Sequence, residues 1–216
     1  MNRQITFRQY RAMDLGMFTA LLCLCEALIT LGATRWFPAE PGTLSLTPAV
    51  TAIVMVRWGW FAAIPAAAGT LVFCAASGAR PLQYLIYILG SMVPLVWGLW
   101  LRKAGWKRLK EQVLLALFYG ASAAVLMQLG RGALALLTGH APAACLAFVT
   151  TDALSTLFAA LLMWITRRLD GMLEEQKHYL RRVAEEMERE RAQAVQGNDL
   201  WQCRRLREVS AGPLAL

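Results

Sequence analysis

The chain is predicted to be all-α: a polytopic membrane protein built as a six-transmembrane-helix bundle with a cytoplasmic C-terminal helix. Three observations predict this. Hydrophobic residues make up 57% of the 216 positions and charged residues 17%, against about 25% charged in ordinary soluble domains. The mean hydropathy is +0.44. The charges are also segregated into the first eleven residues, Arg102 to Glu111 and the stretch after Arg167, and the nearly uncharged segments between them are long enough to cross a bilayer.

Residues 1–13 form a basic cytoplasmic N-terminus. The first span, Asp14 to Ala33, comes next without a small-residue cleavage site, so it is expected to be a retained helix and not a signal peptide. After it lies a loop rich in Pro and aromatic residues, TRWFPAEPGTLSLT. Pro38, Pro41 and Pro48 keep it from extending the first helix. Tied to the bilayer at both ends, it reads as a lid over an outward-facing site.

The stretch Leu44 to Ser77 has 34 residues, interrupted by Arg57-Trp58-Gly59. As one helix it would put RKAGWKRLK (Arg102 to Lys110) outside, against the positive-inside rule. As a hairpin of two short helices turning at Arg57 to Gly59, it gives six spans with both termini inside. Its first arm rises only about 20 Å, so it needs shelter from other helices. The remaining spans are Leu82 to Leu101, Gln112 to Gly130 and Ala143 to Ile165, which completes a membrane domain over residues 14–166. On this topology the outer basic residues are Arg35, Arg80 and Arg131. Trp58, Trp60, Trp97, Trp100, Trp106 and Trp164 gather at the inner boundary as an aromatic belt. The expected location is the inner membrane of a bacterium.

Residues 167–196 are expected to form a cytoplasmic amphipathic helix. Leu173, Leu180, Met187 and Ala194 recur every seventh residue, and Arg181/Glu185, Arg182/Glu186 and Glu185/Arg189 are i,i+4 pairs. Such a helix either docks or dimerises, or is a solvated extension of the last span. Residues 197–216 read as a flexible tail.

Several functions are excluded. The net charge of +8 is carried by residues flanking apolar spans, where Lys and Arg set topology, so no nucleic-acid partner is expected. There is no Walker A, Gly-rich phosphate loop, HExxH or GxSxG motif, and His140 and His178 fall on opposite sides of the membrane, so the protein is not read as an enzyme. The five cysteines, Cys23, Cys25, Cys74, Cys145 and Cys203, show no zinc spacing, and no metal or cofactor is expected.

Charged groups within spans are costly and usually face a bundle interior or a water-filled cavity. Glu26 lies in the outer half of the first span. Asp152 lies near mid-membrane among Thr150, Thr151, Ser155 and Thr156. Arg80, Gln83, Tyr84, Tyr87, Ser91, Tyr119, Gln128 and Arg131 cluster toward the outer ends of their helices. With Trp36 of the loop they would line a cavity open to the outside. The competing reading is that Glu26 and Asp152 pair with Arg80, Arg131 or hydroxyls only to hold the bundle together. Ala12, Gly16 and Ala20, each four apart, form a small-residue stripe that lets another helix approach closely or packs inside the bundle.

On these residues the chain resembles the substrate-binding S components of energy-coupling factor (ECF) vitamin transporters. The shared features are the six-span layout, the small-xxx-small stripe opening the first helix, and the loop WFPAEPGTLSLTP leading into a hairpin that ends on RWG, over roughly Asp14 to Arg168. The resemblance implies capture of a water-soluble vitamin or trace nutrient from outside under the loop as a cap. It also implies delivery through a transmembrane coupling subunit that carries two ABC ATPases. Glu26, Trp36, Arg80, Tyr84, Tyr87, Arg131 and Asp152 would then bind substrate, and Ala12, Gly16 and Ala20 would meet the coupling subunit. The family stripe is usually Ala-xxx-Ala, from which Gly16 departs, and the helix after Arg168 is not a usual family feature. Carboxylates mixed with aromatic rings suit a planar, cationic, thiamin-like nutrient.

A second reading is a six-span membrane scaffold resembling the MreD-type proteins of the cell-wall elongation machinery, which would recruit partners through the cytoplasmic helix. A third is a membrane sensor signalling through that helix. The transporter reading expects an outer cavity lined by Glu26, Asp152 and Trp36. The scaffold reading expects a filled bundle.

Overall fold

A computed structural model of the chain describes residues 6–36, 44–98, 100 and 106–169, with scattered positions between 172 and 189. The described residues are helical throughout, joined by short turns. Helix α1 is Phe7–Trp36. Helix α2, Thr47–Trp58, passes through a 3-10 turn, Gly59–Ala62, into α3, Ala63–Ala76. Helix α4, Pro81–Met92, continues as a 3-10 segment, Val93–Val96. Then come α5 (Trp106–Glu111), α6 (Val113–Leu137), α7 (Pro142–Thr151) and α8 (Ala153–Arg167). Three stretches are long and apolar enough to cross a membrane: Phe7–Trp36, Thr47–Ala76 and Val113–Leu137. Residues 37–43 of the expected lid, 102–105 of the RKAGWKRLK block, His178, the heptad positions Leu180, Met187 and Ala194, and the tail 197–216 lie outside the described residues.

The run Thr47–Ala76 is folded back on itself. Gly59 closes α2 with φ of 61°, a backbone state that only glycine adopts without steric cost. A Cβ placed on Gly69 would stand 2.7 Å from the Thr47 hydroxyl oxygen, whereas a continuous helix would hold these residues about 33 Å apart. The expected turn at Arg57 to Gly59 is therefore the observed one. Pro48 sits in the first turn of α2, where its missing N–H is harmless. With 12 residues, α2 is too short to cross about 30 Å of hydrocarbon. Its environment supplies the shelter: every residue of α2 except Val50 and Trp58 is buried, against α1, α3, α6 and α8.

The last apolar stretch departs from expectation. Read as one span from Ala143 to Ile165, it is two helices separated at Asp152, whose φ and ψ of −104° and 18° leave the helical region. The sequence marks the place as a polar patch, Thr150 to Thr156, but a polar patch within a span does not by itself announce a helix break. Its physical reason is the side chain, which is buried and engaged by groups on α6 and α8.

One end of the bundle is closed by an ion pair. Arg57 donates to Asp14 through Nε at 3.1 Å and through Nη2 at 2.9 Å, both side chains being under 10% exposed. The Trp58 indole N–H donates to the same carboxylate at 2.6 Å, and the Arg57 guanidinium lies over Phe18 at 5.3 Å. Phe7 and Tyr10 pack their rings on Trp58. Arg167 donates to the carbonyls of Lys110 and Glu111 at 3.0 and 3.1 Å, and Leu109 and Leu173 join the same apolar cluster as Leu15, Phe18 and Val56. In the unit that begins at Gln176, Arg181 and Glu185 form an exposed i,i+4 pair at 3.0 Å.

Two outcomes check this architecture. In a cysteine-free background, Thr47→Cys with Gly69→Cys is expected to crosslink on mild oxidation. Mass spectrometry of the unreduced protein detects the bond, and a straight helix over Thr47–Ala76 gives none. Asp14→Ala, which strands the Arg57 guanidinium, is expected to cost about 3–5 kcal/mol, while Asp14→Leu with Arg57→Met recovers most of it. Thermal unfolding in detergent, followed by tryptophan fluorescence, measures both.

Candidate functional site

At the end of the bundle away from Arg57, polar side chains from six segments meet in the interior. Glu26 of α1 is fully buried and accepts from the Ser45 hydroxyl and, at 3.0 Å, from the Leu46 backbone N–H. Both donors precede α2, so the carboxylate fastens the start of the hairpin to α1. The Ser45 N–H donates to the Ser155 hydroxyl at 2.8 Å, and that hydroxyl donates to Asp152 at 2.9 Å. The other Asp152 oxygen accepts from the Gln128 amide and lies 3.7 Å from Arg131 Nη1. Arg131 also donates to the Ser91 hydroxyl at 3.0 Å, and Ser91 shares a 2.8 Å bond with Thr70.

Glu26, Ser45, Thr70, Ser91, Gln128, Arg131, Asp152 and Ser155 are all buried. The Arg131 guanidinium lies over the Tyr87 ring at 4.7 Å, and Tyr87 stacks on Phe73 at 5.5 Å. Gly90 makes room for Arg131: a Cβ there would stand 2.6 Å from its Cγ and 2.7 Å from its backbone nitrogen. The polar capacity of the site is not used up. Arg131 Nε and the Thr30 hydroxyl, one helical turn beyond Glu26, are buried without a hydrogen-bond partner.

Of the residues expected from sequence to bind substrate, Glu26, Tyr87, Arg131 and Asp152 share this network or border it. Tyr84 is half-buried on α4. Arg80 is exposed, and its backbone N–H is capped by the Gln83 side chain at 2.7 Å, so it serves the start of α4. Trp36 is 76% exposed at the last residue of α1, about 15 Å of helix beyond Glu26. Glu26 and Asp152 therefore do not share an open wall with Trp36. Asp152 pairs with Arg131, as the structural alternative expected, whereas Arg80 takes no part. Sequence alone does not single out Ser45 or Thr70. A hydroxyl in an apolar segment gives little signal, and the one available cue is that Ser45 stands beside the Pro-rich loop.

The stripe on α1 points outward. Ala12, Gly16 and Ala20 are exposed, and a Cβ at Gly16 would meet nothing within 4 Å. With Phe61 and Arg11 they line a shallow, largely apolar groove of about 580 Å³. The internal-packing reading of these three residues does not hold. Among the described residues no group of three or more His, Cys, Asp or Glu side chains is placed to hold a metal ion.

Comparison with protein-family models, with curated proteins and with solved structures gives no match for the chain.

Gly90→Ala is expected to lower stability by about 1–3 kcal/mol, because the added methyl meets the Arg131 backbone, which cannot swing aside. Thermal unfolding of the detergent-purified variant checks it.

Proposed function

We propose that the protein is the membrane-embedded substrate-binding subunit of an ECF-type importer. It would capture a small water-soluble nutrient from outside and pass it through a separate coupling subunit driven by ABC ATPases. The observation that carries this reading is the buried polar core of Glu26, Gln128, Arg131 and Asp152, closed over by Ser45 and Leu46. A bundle that needed only stability would do as well or better with apolar residues at these positions, since pairing seldom outweighs the desolvation of buried charge. Ionisable groups inside a membrane bundle mark a functional site by default. The segment over the core is the end of the Pro-rich loop, which suits a cap, and the unused Arg131 Nε and Thr30 hydroxyl suit a polar ligand.

On this reading the chain crosses the bacterial inner membrane six times with both termini in the cytoplasm. The described conformation is the closed one. The outward-facing stripe Ala12, Gly16 and Ala20 is the surface the coupling subunit meets. A thiamin-like cation answers the carboxylate of Glu26, which has no cation within ion-pair distance among the described residues.

The MreD-like scaffold reading keeps two observations in its favour: Glu26 and Asp152 find protein partners without any ligand, and they share no open wall with Trp36. Mass spectrometry of small molecules released on denaturing the detergent-purified protein separates the two. A nutrient released from the wild type and lost in Glu26→Gln/Asp152→Asn supports the transporter. No ligand, with no co-purifying coupling subunit, supports the scaffold. Gly16→Leu is expected to keep the released nutrient and abolish its uptake into cells, and loss of the nutrient itself would count against the coupling role of the stripe.

A further inference from the structure

The groove on α1 has a feature that a helix-docking surface does not require. Arg8 and Arg11 stand at one end of it, three residues apart and so on the same side of the helix. Neither meets a carboxylate among the described residues, since the ion pairs formed there belong to Arg57, Arg131 and Arg181. Arg11 is held in place by stacking, its guanidinium 4.1 Å from the centre of the Phe61 ring. Below the two cations the groove is lined by Leu15, Gly16, Thr19 and Ala20 of α1, together with Phe61 and Ile64. From Arg8 to Ala20 the helix rises about 18 Å. Half of a bilayer core is about 15 Å. A groove that ends within one leaflet, with uncompensated positive charge at the headgroup level and apolar small residues beneath, has the dimensions and polarity of a single lipid.

We infer that this groove binds an anionic phospholipid, the phosphate between Arg8 and Arg11 and one acyl chain along Gly16 and Ala20. The assignment rests on α1 lying in a bilayer and not on the transporter reading. A partner helix would be expected to continue its contact across the full membrane height, and the groove does not extend that far. Two cations near an anionic headgroup contribute about 1 kcal/mol each, which gives a preference of about 30-fold over a zwitterionic lipid of the same chains. If a coupling subunit does use this face, it displaces the lipid first.

The test is native mass spectrometry of the full-length protein released from nanodiscs holding equal amounts of palmitoyl-oleoyl phosphatidylglycerol and phosphatidylcholine. The wild type is expected to retain phosphatidylglycerol in large excess, less so as salt is raised. Arg8→Gln/Arg11→Gln is expected to retain the two lipids equally, and Gly16→Leu to retain neither. Each variant is accepted only if its thermal unfolding matches the wild type. Equal retention by the wild type, or an undiminished preference in the double variant, overturns the inference. So does a dimer that carries no lipid, which would make the groove a contact between copies of this chain.

Discussion

A guanidinium at 6% exposure in a helical bundle must meet a carboxylate, and Arg57 meets Asp14. The position of that meeting governs the packing of the first three helices. Asp14 sits near the start of α1 and Arg57 at the end of α2, so the pair fixes the two helices antiparallel. The second tie obeys the same register. Glu26 lies twelve residues beyond Asp14, and Ser45 lies twelve before Arg57. Equal steps on the two segments bring both carboxylates to their partners at once. Between these clamps α2 is almost wholly buried, which is what a helix too short to cross a membrane alone requires.

Much of this was legible in the sequence because charge in an apolar chain is scarce and therefore informative. Arg57-Trp58-Gly59 marked a turn because the basic blocks had to share a side, and the positive φ of Gly59 is what the structure adds. Glu26, Asp152 and Arg131 were legible as groups needing interior partners. The partners themselves were not. Thr70 gives no local cue, and Ser45 only its place in the Pro-rich loop, because a hydroxyl in an apolar run reads the same whether it bonds its own helix or reaches across the bundle. The break at Asp152 was hidden for a related reason. Hydropathy measures how well each residue tolerates lipid, and a one-residue departure from helical geometry to aim a carboxylate inward barely alters it. Arg80 and Trp36 were grouped with the site on sequence position alone, and their exposure results from standing at helix ends where solvent or headgroups are within reach.

Different parts of α1 carry the two candidate activities. Inward, Asp14 and Glu26 hold the hairpin. Outward, Gly16 and Ala20 leave an open groove with Arg8 and Arg11 at its head. The inward contacts are few, directional and polar, while the outward face is largely apolar apart from its cationic end and Thr19. Interiors of this kind specify one arrangement, because a shifted register would leave charges buried and unpaired. Surfaces of the second kind accept any chain or helix that fits between small residues.

This division has a mechanical consequence. On the importer reading proposed above, opening the polar core to a ligand would require the segment at Ser45 and Leu46 to move, and that segment is held by two bonds to Glu26 and one to Ser155. A ligand bearing a positive charge or a hydrogen-bond donor competes for the same carboxylate. Such a ligand would loosen the closure in the act of binding, and the Ser45 N–H to Ser155 bond links the same segment to Asp152 and Arg131. The far clamp at Asp14 and Arg57 shares none of these groups, so α1 and the turn at Gly59 would stay docked while the opposite end rearranged. On that reading, a bundle tied firmly at one end and by exchangeable hydrogen bonds at the other would open at the second, because that is where a ligand can replace the contacts it breaks.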